Sequence, residues 1–421
     1  MIRVWSDRQS AGVLDRHGAR GSTFVYDQKI DTNRAVSMTM PVRLASWNQV
    51  LGIHPIFEMN LPEGALRERL RLDFAKAIGA LDNLDLLAIV GRSQIGRLRY
   101  TSNDSSLDEE VPFQSVDEIL AAKRGGDLFS YMMQKFAQYS GISGVQPKVM
   151  IQDVTDTAIL QNDTNRHLQS IKGATHIVKF WNAFEYEQLA ANEFFCLRAA
   201  QKCGLEVPRY RLSDNGLALV IDRFDLRADG TYCGIEDFCV LNGYPTEYKY
   251  RGSYETALFK RMSEFLHDTN KAEELKKLFT LFLLNCAVRN GDAHLKNFAL
   301  IYDHVNGSAR MAPVYDVVTT TVYLPQDSLA LQFDGTTHWP QKKKLLTLAV
   351  QRCKLSEAEA KLIFEKVADA VSEASAEMRL YAQQHQEFAR ISDLMQSQWE
   401  IGLQESLGFV PSTWLSHQSQ P

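Results

Sequence analysis

Arg289-Asn290-Gly291-Asp292-Ala293-His294-Leu295-Lys296-Asn297-Phe298 sets a carboxylate and an amide five residues apart, and a second carboxylate, Asp316, follows after one apparent hairpin. That layout suits magnesium-dependent phosphoryl transfer. One carboxylate can accept the proton of an attacking hydroxyl, while an amide oxygen and a second carboxylate hold the metal ions that screen ATP phosphates. After Asn297 the run Phe298 to Tyr302 reads as a strand, Asn306-Gly307 supplies a turn, and Met311 to Tyr315 leads back, so Asp316 should return close to Asn297. Upstream, Leu275, Leu278, Phe279, Phe282 and Leu283 form the apolar stripe of a helix ending near Arg289, which would anchor the loop. Taken singly, each acid is also the kind of residue that caps helices and turns. The ordered set carries the reading.

Further components lie upstream. In Gly141-Ile-Ser143-Gly144-Val145-Gln146-Pro-Lys148 two glycines let backbone amides approach a phosphate and a lysine adds charge, although a GxxG turn is also an ordinary strand connection. His176-Ile-Val-Lys179-Phe reads as a strand in which Lys179 points opposite to Val178, so it either reaches ATP phosphates or lies on the surface. One helix later, Glu193 shares a face with Leu189, Ala190, Leu197 and Ala200. An acid in an apolar stripe calls for a cation, with Lys179 the expected partner, unless Glu193 snorkels at the edge of the helix face or meets another base such as Arg198. Leu217-Ala-Leu-Val-Ile-Asp222-Arg-Phe224-Asp225 is an apolar strand running into charges, a connection that can offer backbone groups to adenine. Phe224 would pack on the purine or simply fill the core.

A chain of 421 residues predicts two or three domains, and its 45% hydrophobic and 23% charged residues are ordinary for globular proteins. A net charge of -5 argues against direct nonspecific DNA binding. Cys196, Cys203, Cys233, Cys239, Cys286 and Cys353 lie far apart without zinc-like spacing and read as reduced, mostly buried thiols. No apolar signal core opens the chain and no run reaches the ~18 apolar residues of a membrane span, so a cytoplasmic, membrane-free protein is expected.

Residues 1–103 read as a small α+β unit, with strand-like runs at Thr23 to Tyr26 and Ala35 to Met38. In it a helical stretch from Gly64 to Ala80 has the apolar positions Leu66, Leu70, Leu72, Phe74, Ala75 and Ile78. The polar, acidic stretch 104–112 reads as a linker. Residues 113–232 resemble a sheet-rich nucleotide-binding lobe with polar loops such as 161–170, and helices dominate 233–421, where Ser356-Glu-Ala-Glu359 matches a capping box.

With these residues in view, the chain resembles the HipA-type serine/threonine kinases, toxins of bacterial type II toxin-antitoxin systems. The carriers are Ser143-Gly-Val-Gln-Pro-Lys148, His176-Ile-Val-Lys179-Phe, Asn192-Glu193-Phe-Phe-Cys-Leu, Asp222-Arg-Phe-Asp225, Glu236-Asp-Phe-Cys, Asp292-Ala-His-Leu-Lys-Asn297 and Ala312-Pro-Val-Tyr-Asp316. Phe57-Glu-Met-Asn-Leu-Pro-Glu63 and Gly91-Arg-Ser-Gln-Ile-Gly96 resemble the family's N-terminal subdomain. The resemblance implies an α+β, two-lobed protein-kinase-like fold, with a sheet-rich N-lobe, a helical C-lobe and a small N-terminal α+β subdomain. It implies Asp292 as catalytic base, Asn297 and Asp316 as magnesium ligands, and Lys179 on ATP phosphates beneath the Gly144 to Lys148 loop, with Val145 and Gln146. Asp222 and Phe224 match the adenine-reading segment. His294 and Lys296 fill the catalytic loop's polar positions, Lys296 steadying the transferring phosphate.

The known toxins phosphorylate aminoacyl-tRNA synthetases and so inhibit translation, and their usual antitoxin is a helix-turn-helix protein. DNA would then be met only through the antitoxin. Family loops commonly carry an autophosphorylated serine where this chain has Gly141, which leaves Ser143 as the candidate and Ser140 beside it, unless Ser143 only hydrogen-bonds within the loop. Two other classes share much of this pattern: a small-molecule phosphotransferase, and an inactive kinase-fold partner or corepressor. Residues 1–103 add a surface suited to a protein partner, and the intact Lys179, Asp292, Asn297 and Asp316 favour turnover.

Overall fold

The computed structural model describes residues 1–409 apart from 19, 79–80, 103–104, 108, 123–124, 156–171 and 182–185. The polar loop expected at 161–170 and parts of the 104–112 linker lie outside the described residues. By contacts the chain divides into two compact units. The first comprises 1–182, 209–248 and 299–309, and the second 183–208, 249–298 and 310–421.

The first unit opens with β1 (Ile2–Ser6), β2 (Gln9–His17), β3 (Gly21–Tyr26), β4 (Trp47–Gln49) and β5 (Leu98–Ser102), an antiparallel sheet in the order β4-β3-β2-β1-β5. β1 alternates buried and half-buried residues, the period-two pattern of a sheet with one packed face. Its core includes Val4, Leu14, Phe24, Phe57 and Tyr100, with the Phe24 and Phe57 rings 5.1 Å apart. The run Ala35 to Met38, expected as a strand, instead leads into a tight turn closed by a bridge between Ser37 and Met40. Its backbone is held instead by Tyr26, whose hydroxyl accepts from Val36 N at 3.0 Å, and by Glu236, which accepts from Met38 N at 2.7 Å. The helix Gly64–Ile78 forms within the expected stretch and buries Leu66 and Leu70, but Leu72 is exposed, two residues beyond Leu70 and off the packed face; residues 79–80 and the side chains of Ala75 and Ile78 lie outside what is described.

A second antiparallel sheet has β6 (Lys148–Ile151), β7 (His176–Phe180), β8 (Tyr210–Leu212) and β9 (Ala218–Asp222) in the order β6-β7-β9-β8. Every residue of β6, β7 and β9 is buried, so Lys179 is neither a surface lysine nor on an open face. Further on, β10 (Gly234–Asp237) pairs antiparallel with β11 (Ala299–Tyr302), the strand expected after Asn297, and Gly307 N closes its turn onto His304 O at 2.9 Å.

The second unit is helical. Its central helix, Lys271–Ala287, buries the whole predicted stripe of Leu275, Leu278, Phe279, Phe282 and Leu283. It packs with Leu189–Lys202, Glu357–Gln384 and Gln386–Gly402. Gly402 is required at one crossing, because a Cβ there would stand 2.1 Å from Ala287 O. The Phe195 and Phe388 rings stack at 5.6 Å, and buried Trp399 donates from Nε1 to Thr319 Oγ1 at 2.7 Å. Each such aromatic contributes about 1.5–3 kcal/mol by burial. The Ser356 capping box forms with both reciprocal bonds. No described helix is long and apolar enough to cross a membrane.

Candidate active site

In the second unit the central helix ends as Arg289 takes a left-handed φ of 56°, and its buried guanidinium donates to Glu405 at 2.6 Å. Asn290 sets the next turn: its Nδ2 donates to Asn285 Oδ1 at 2.8 Å, and its Oδ1 accepts from Asp292 N at 3.2 Å. Gly291 packs where a Cβ would stand 2.1 Å from the Asp327 carboxylate. Asp292 therefore begins a loop with little freedom. Burial raises its carboxyl pKa, with Asp316 and Asp327 pushing the same way and a hydrogen bond from Tyr250 and the charge of Lys249 opposing. A raised carboxylate is a better proton acceptor.

His294 N donates to Asp292 O at 2.7 Å. Burial drives the His294 imidazole pKa down to about 3, aided by Lys249 and Lys296 against Asp316, so the ring is neutral and its buried Nδ1 has no hydrogen-bond partner. Lys296 is also buried, and its carbonyl accepts from Tyr315 Oη at 3.0 Å. Asn297 Nδ2 donates to Asp316 O at 3.2 Å, so the two residues expected to share a metal are brought together. Asp316 itself takes a left-handed φ of 53°, uncommon for a non-glycine residue. Its amide donates to Glu193 Oε1 at 3.2 Å, while neighbouring Asn192 exchanges bonds with Thr319 N and O at 2.8 and 3.1 Å. The helix Leu189–Lys202 thus braces the stretch after Asp316, and it does so buried around most of its circumference rather than along one stripe.

Asn297 Oδ1 is buried and accepts no hydrogen bond. An amide oxygen in that condition beside an aspartate suits a hard cation, which takes oxygen ligands. The residues fit magnesium. No group of three or more His, Cys, Asp or Glu side chains suited to a metal occurs among the described residues, so a bound ion would draw on this amide and carboxylate together with ATP phosphates and water.

In the first unit, Gly144 has φ 109°, and a Cβ there would lie 2.3 Å from Lys148 Nζ. Lys148 Nζ donates to Ser143 O at 3.1 Å, Val145 stands exposed at the tip, and Gln146 Nε2 donates to Phe180 O at 3.3 Å. Lys148 and Lys179 are direct cross-strand partners on β6 and β7, each 3% exposed. Asp222 faces His176 across β7 and β9, with Oδ1 3.3 Å from Nε2, and Arg211 lies at 3.6 Å; Phe224 is half-buried. Lys179 belongs to the first unit and Glu193 to the second.

Two contacts had no counterpart in the sequence reading. Glu63 Oε1 accepts from Gly144 N at 3.0 Å, and Tyr250 Oη donates to Asp292 Oδ1 at 2.7 Å. Neither pair is close in sequence, so no spacing rule could have found them.

Comparison with known proteins gives this geometry a lineage. Residues 2–101 match the HipA N-terminal domain and residues 140–375 the HipA-like C-terminal domain. The chain belongs to the HipA family. Among its relatives, "Putative kinase Y4mE" of Sinorhizobium fredii is 30% identical over 77% of this chain and 78% of its own length. "Putative kinase Y4dM" of the same organism is 26% identical over 78% and 76%. A chain in the solved complex of the Shewanella oneidensis MR-1 toxin-antitoxin system HipA, HipB and its operator DNA superposes with a TM-score of 0.66. That match has 18% identity and covers 97% of this chain and 98% of that one. The fold is accordingly the expected α+β, two-lobed, kinase-like one with a HipA N-terminal domain.

Proposed function

We propose that this HipA-family protein is an ATP- and magnesium-dependent serine/threonine kinase acting on a protein hydroxyl. The observation that carries the reading is the buried, unbonded Oδ1 of Asn297, tied through its amide to Asp316, in a loop that begins with the raised carboxyl of Asp292. Asp292 would accept the proton of the attacking hydroxyl as its oxygen bonds to the γ-phosphorus and the bond to ADP breaks. Asn297 and Asp316 would hold magnesium, which supplies charge screening for the phosphates. Lys179 and Lys148, with Gly144, Val145 and Gln146, would bind ATP phosphates; Asp222 and Phe224 would lie along the adenine. Lys296 would steady the transferring phosphate beside neutral His294.

The family supports an aminoacyl-tRNA synthetase as the protein substrate, with inhibited translation as the result, and a helix-turn-helix antitoxin as partner, DNA being reached through it. Residues 1–103 are the surface proposed to receive such partners. For self-phosphorylation Ser143 is favoured over Ser140. Ser140 is fully buried, its hydroxyl donating to Phe136 O and accepting from Met150 N, each at 2.8 Å, whereas Ser143 is partly exposed.

Phosphoproteomics of cells expressing wild type or Asp292→Asn tests the proposal. A serine or threonine of a translation enzyme should gain phosphate only with wild type; identical phosphoproteomes would refute it.

A further inference from the structure

Tyr250 approaches Asp292 from another part of the second unit. Its hydroxyl donates to Asp292 Oδ1 at 2.7 Å, and its ring meets His294 edge-on, centroids 5.1 Å apart at 78°. The segment that carries it is laced to the loop on both sides: Leu295 N donates to Lys249 O at 3.0 Å, and buried Tyr254 donates from Oη to Ala293 O at 2.8 Å. Tyr250 itself is 50% exposed. Its backbone is therefore fixed, while its side chain meets both the carboxylate and solvent.

A hydroxyl donating to the base at hydrogen-bond distance is the arrangement a phosphoryl acceptor must itself adopt before transfer. We propose that Tyr250 is a positioning residue whose phenol holds the acceptor-hydroxyl position on Asp292, and that acceptors reach the base by displacing it. This rests on the reading of Asp292 as the base. The proposal adds a gate to that site. The groups acting on the Asp292 carboxyl are its burial, Tyr250, Lys249, Asp316 and Asp327. Of these the phenol is a donor that favours the ionised form, so its removal would raise the Asp292 pKa further.

The test uses the full-length protein with Mg-ATP and water as the acceptor. Water oxygen bonds to the γ-phosphorus, its proton passes to Asp292, and the bond to ADP breaks. Phosphate release is followed across roughly pH 5.5 to 9 for wild type, Tyr250→Phe, Asp292→Asn and the double variant, a range wide enough to show the acid limb of a general base. Phe keeps the ring against His294, and circular dichroism checks the fold. Tyr250→Phe should release phosphate on the order of tenfold faster above the acid limb, the factor corresponding to about one hydrogen bond to a charged group. Its acid limb should move to higher pH, and the double variant should fall to the level of Asp292→Asn. If Tyr250→Phe lacks either the faster release or the displaced limb, the gate is refuted while loss of release in Asp292→Asn leaves the base in place. Should the double variant release phosphate as fast as Tyr250→Phe, Asp292 is not the base and both readings fall.

Discussion

In the first unit Glu236 and Asp225 have all their carboxylate oxygens occupied by protein donors, whereas in the second unit Asn297 Oδ1 and His294 Nδ1 are buried with none. Glu236 takes bonds from Ser37 Oγ, Met38 N and Tyr302 Oη at 2.6, 2.7 and 2.5 Å; Asp225 takes a bidentate pair from Arg223 at 3.0 and 2.6 Å and a third bond from Gly96 N at 2.7 Å. These groups are closed. They fasten the Ser37 turn and the Gly96 loop to strands and segments far away in sequence. Asn297 Oδ1 and His294 Nδ1 are rigidly placed but left with capacity, which is what a site needs in order to bind something else.

The contrast can be broken by four substitutions. Asp292→Asn should lower phosphoryl transfer from Mg-ATP by about 10²- to 10⁴-fold, the usual worth of a general base, with the unfolding midpoint unchanged. Radiolabel transfer and a thermal melt measure the two; a destabilised variant would place Asp292 among the closed groups. Asp225→Ala should cost about 3–5 kcal/mol in urea denaturation, because it leaves the Arg223 guanidinium buried without its partner. A loss under about 1 kcal/mol would show that the closed group carries little of the fold.

Asn297→Ala should raise the magnesium concentration for half-maximal transfer on the order of tenfold or more, while its lost bond to Asp316 O costs only about 1 kcal/mol. A magnesium titration that overlays wild type would remove Asn297 from the metal. The smallest effect concerns Glu236, whose pKa burial raises even against its donors Ser37, Tyr302 and Met38. The native state then holds a proton that the unfolded chain releases near pH 4.3, so this stabilisation is complete below that value and is lost as pH rises through the raised native pKa. Glu236→Gln should flatten that decline in unfolding midpoint against pH. An unaltered slope would mean that the carboxyl is already ionised there.

What could be read directly from sequence was local. The capping box at Ser356 and the stripe from Leu275 to Leu283 depend on residues within one or two turns, and both form as read. The return of Asp316 to Asn297 was legible because a short turn closes the excursion between them. The run Ala35 to Met38 misled because its backbone is captured by Glu236, nearly two hundred residues on, rather than by a neighbouring strand. The alternation of His176 to Phe180 suggested one open face, yet β7 lies between β6 and β9 and is buried on both. Tyr250 escaped because nothing in its neighbours marks a tyrosine that will meet a carboxylate 42 positions later.

By itself, then, the sequence determined the chemical inventory: Asp292, Asn297 and Asp316 at their spacing, the glycine loop with Lys148, and the periodicities that make strands first and helices later. The tertiary structure decided which of those groups are saturated and which keep a vacant lone pair. Hydrogen-bond capacity is consumed by whatever the fold brings near, and partners such as Glu63 for Gly144 or Tyr250 for Asp292 come from distant chain segments that only packing brings together.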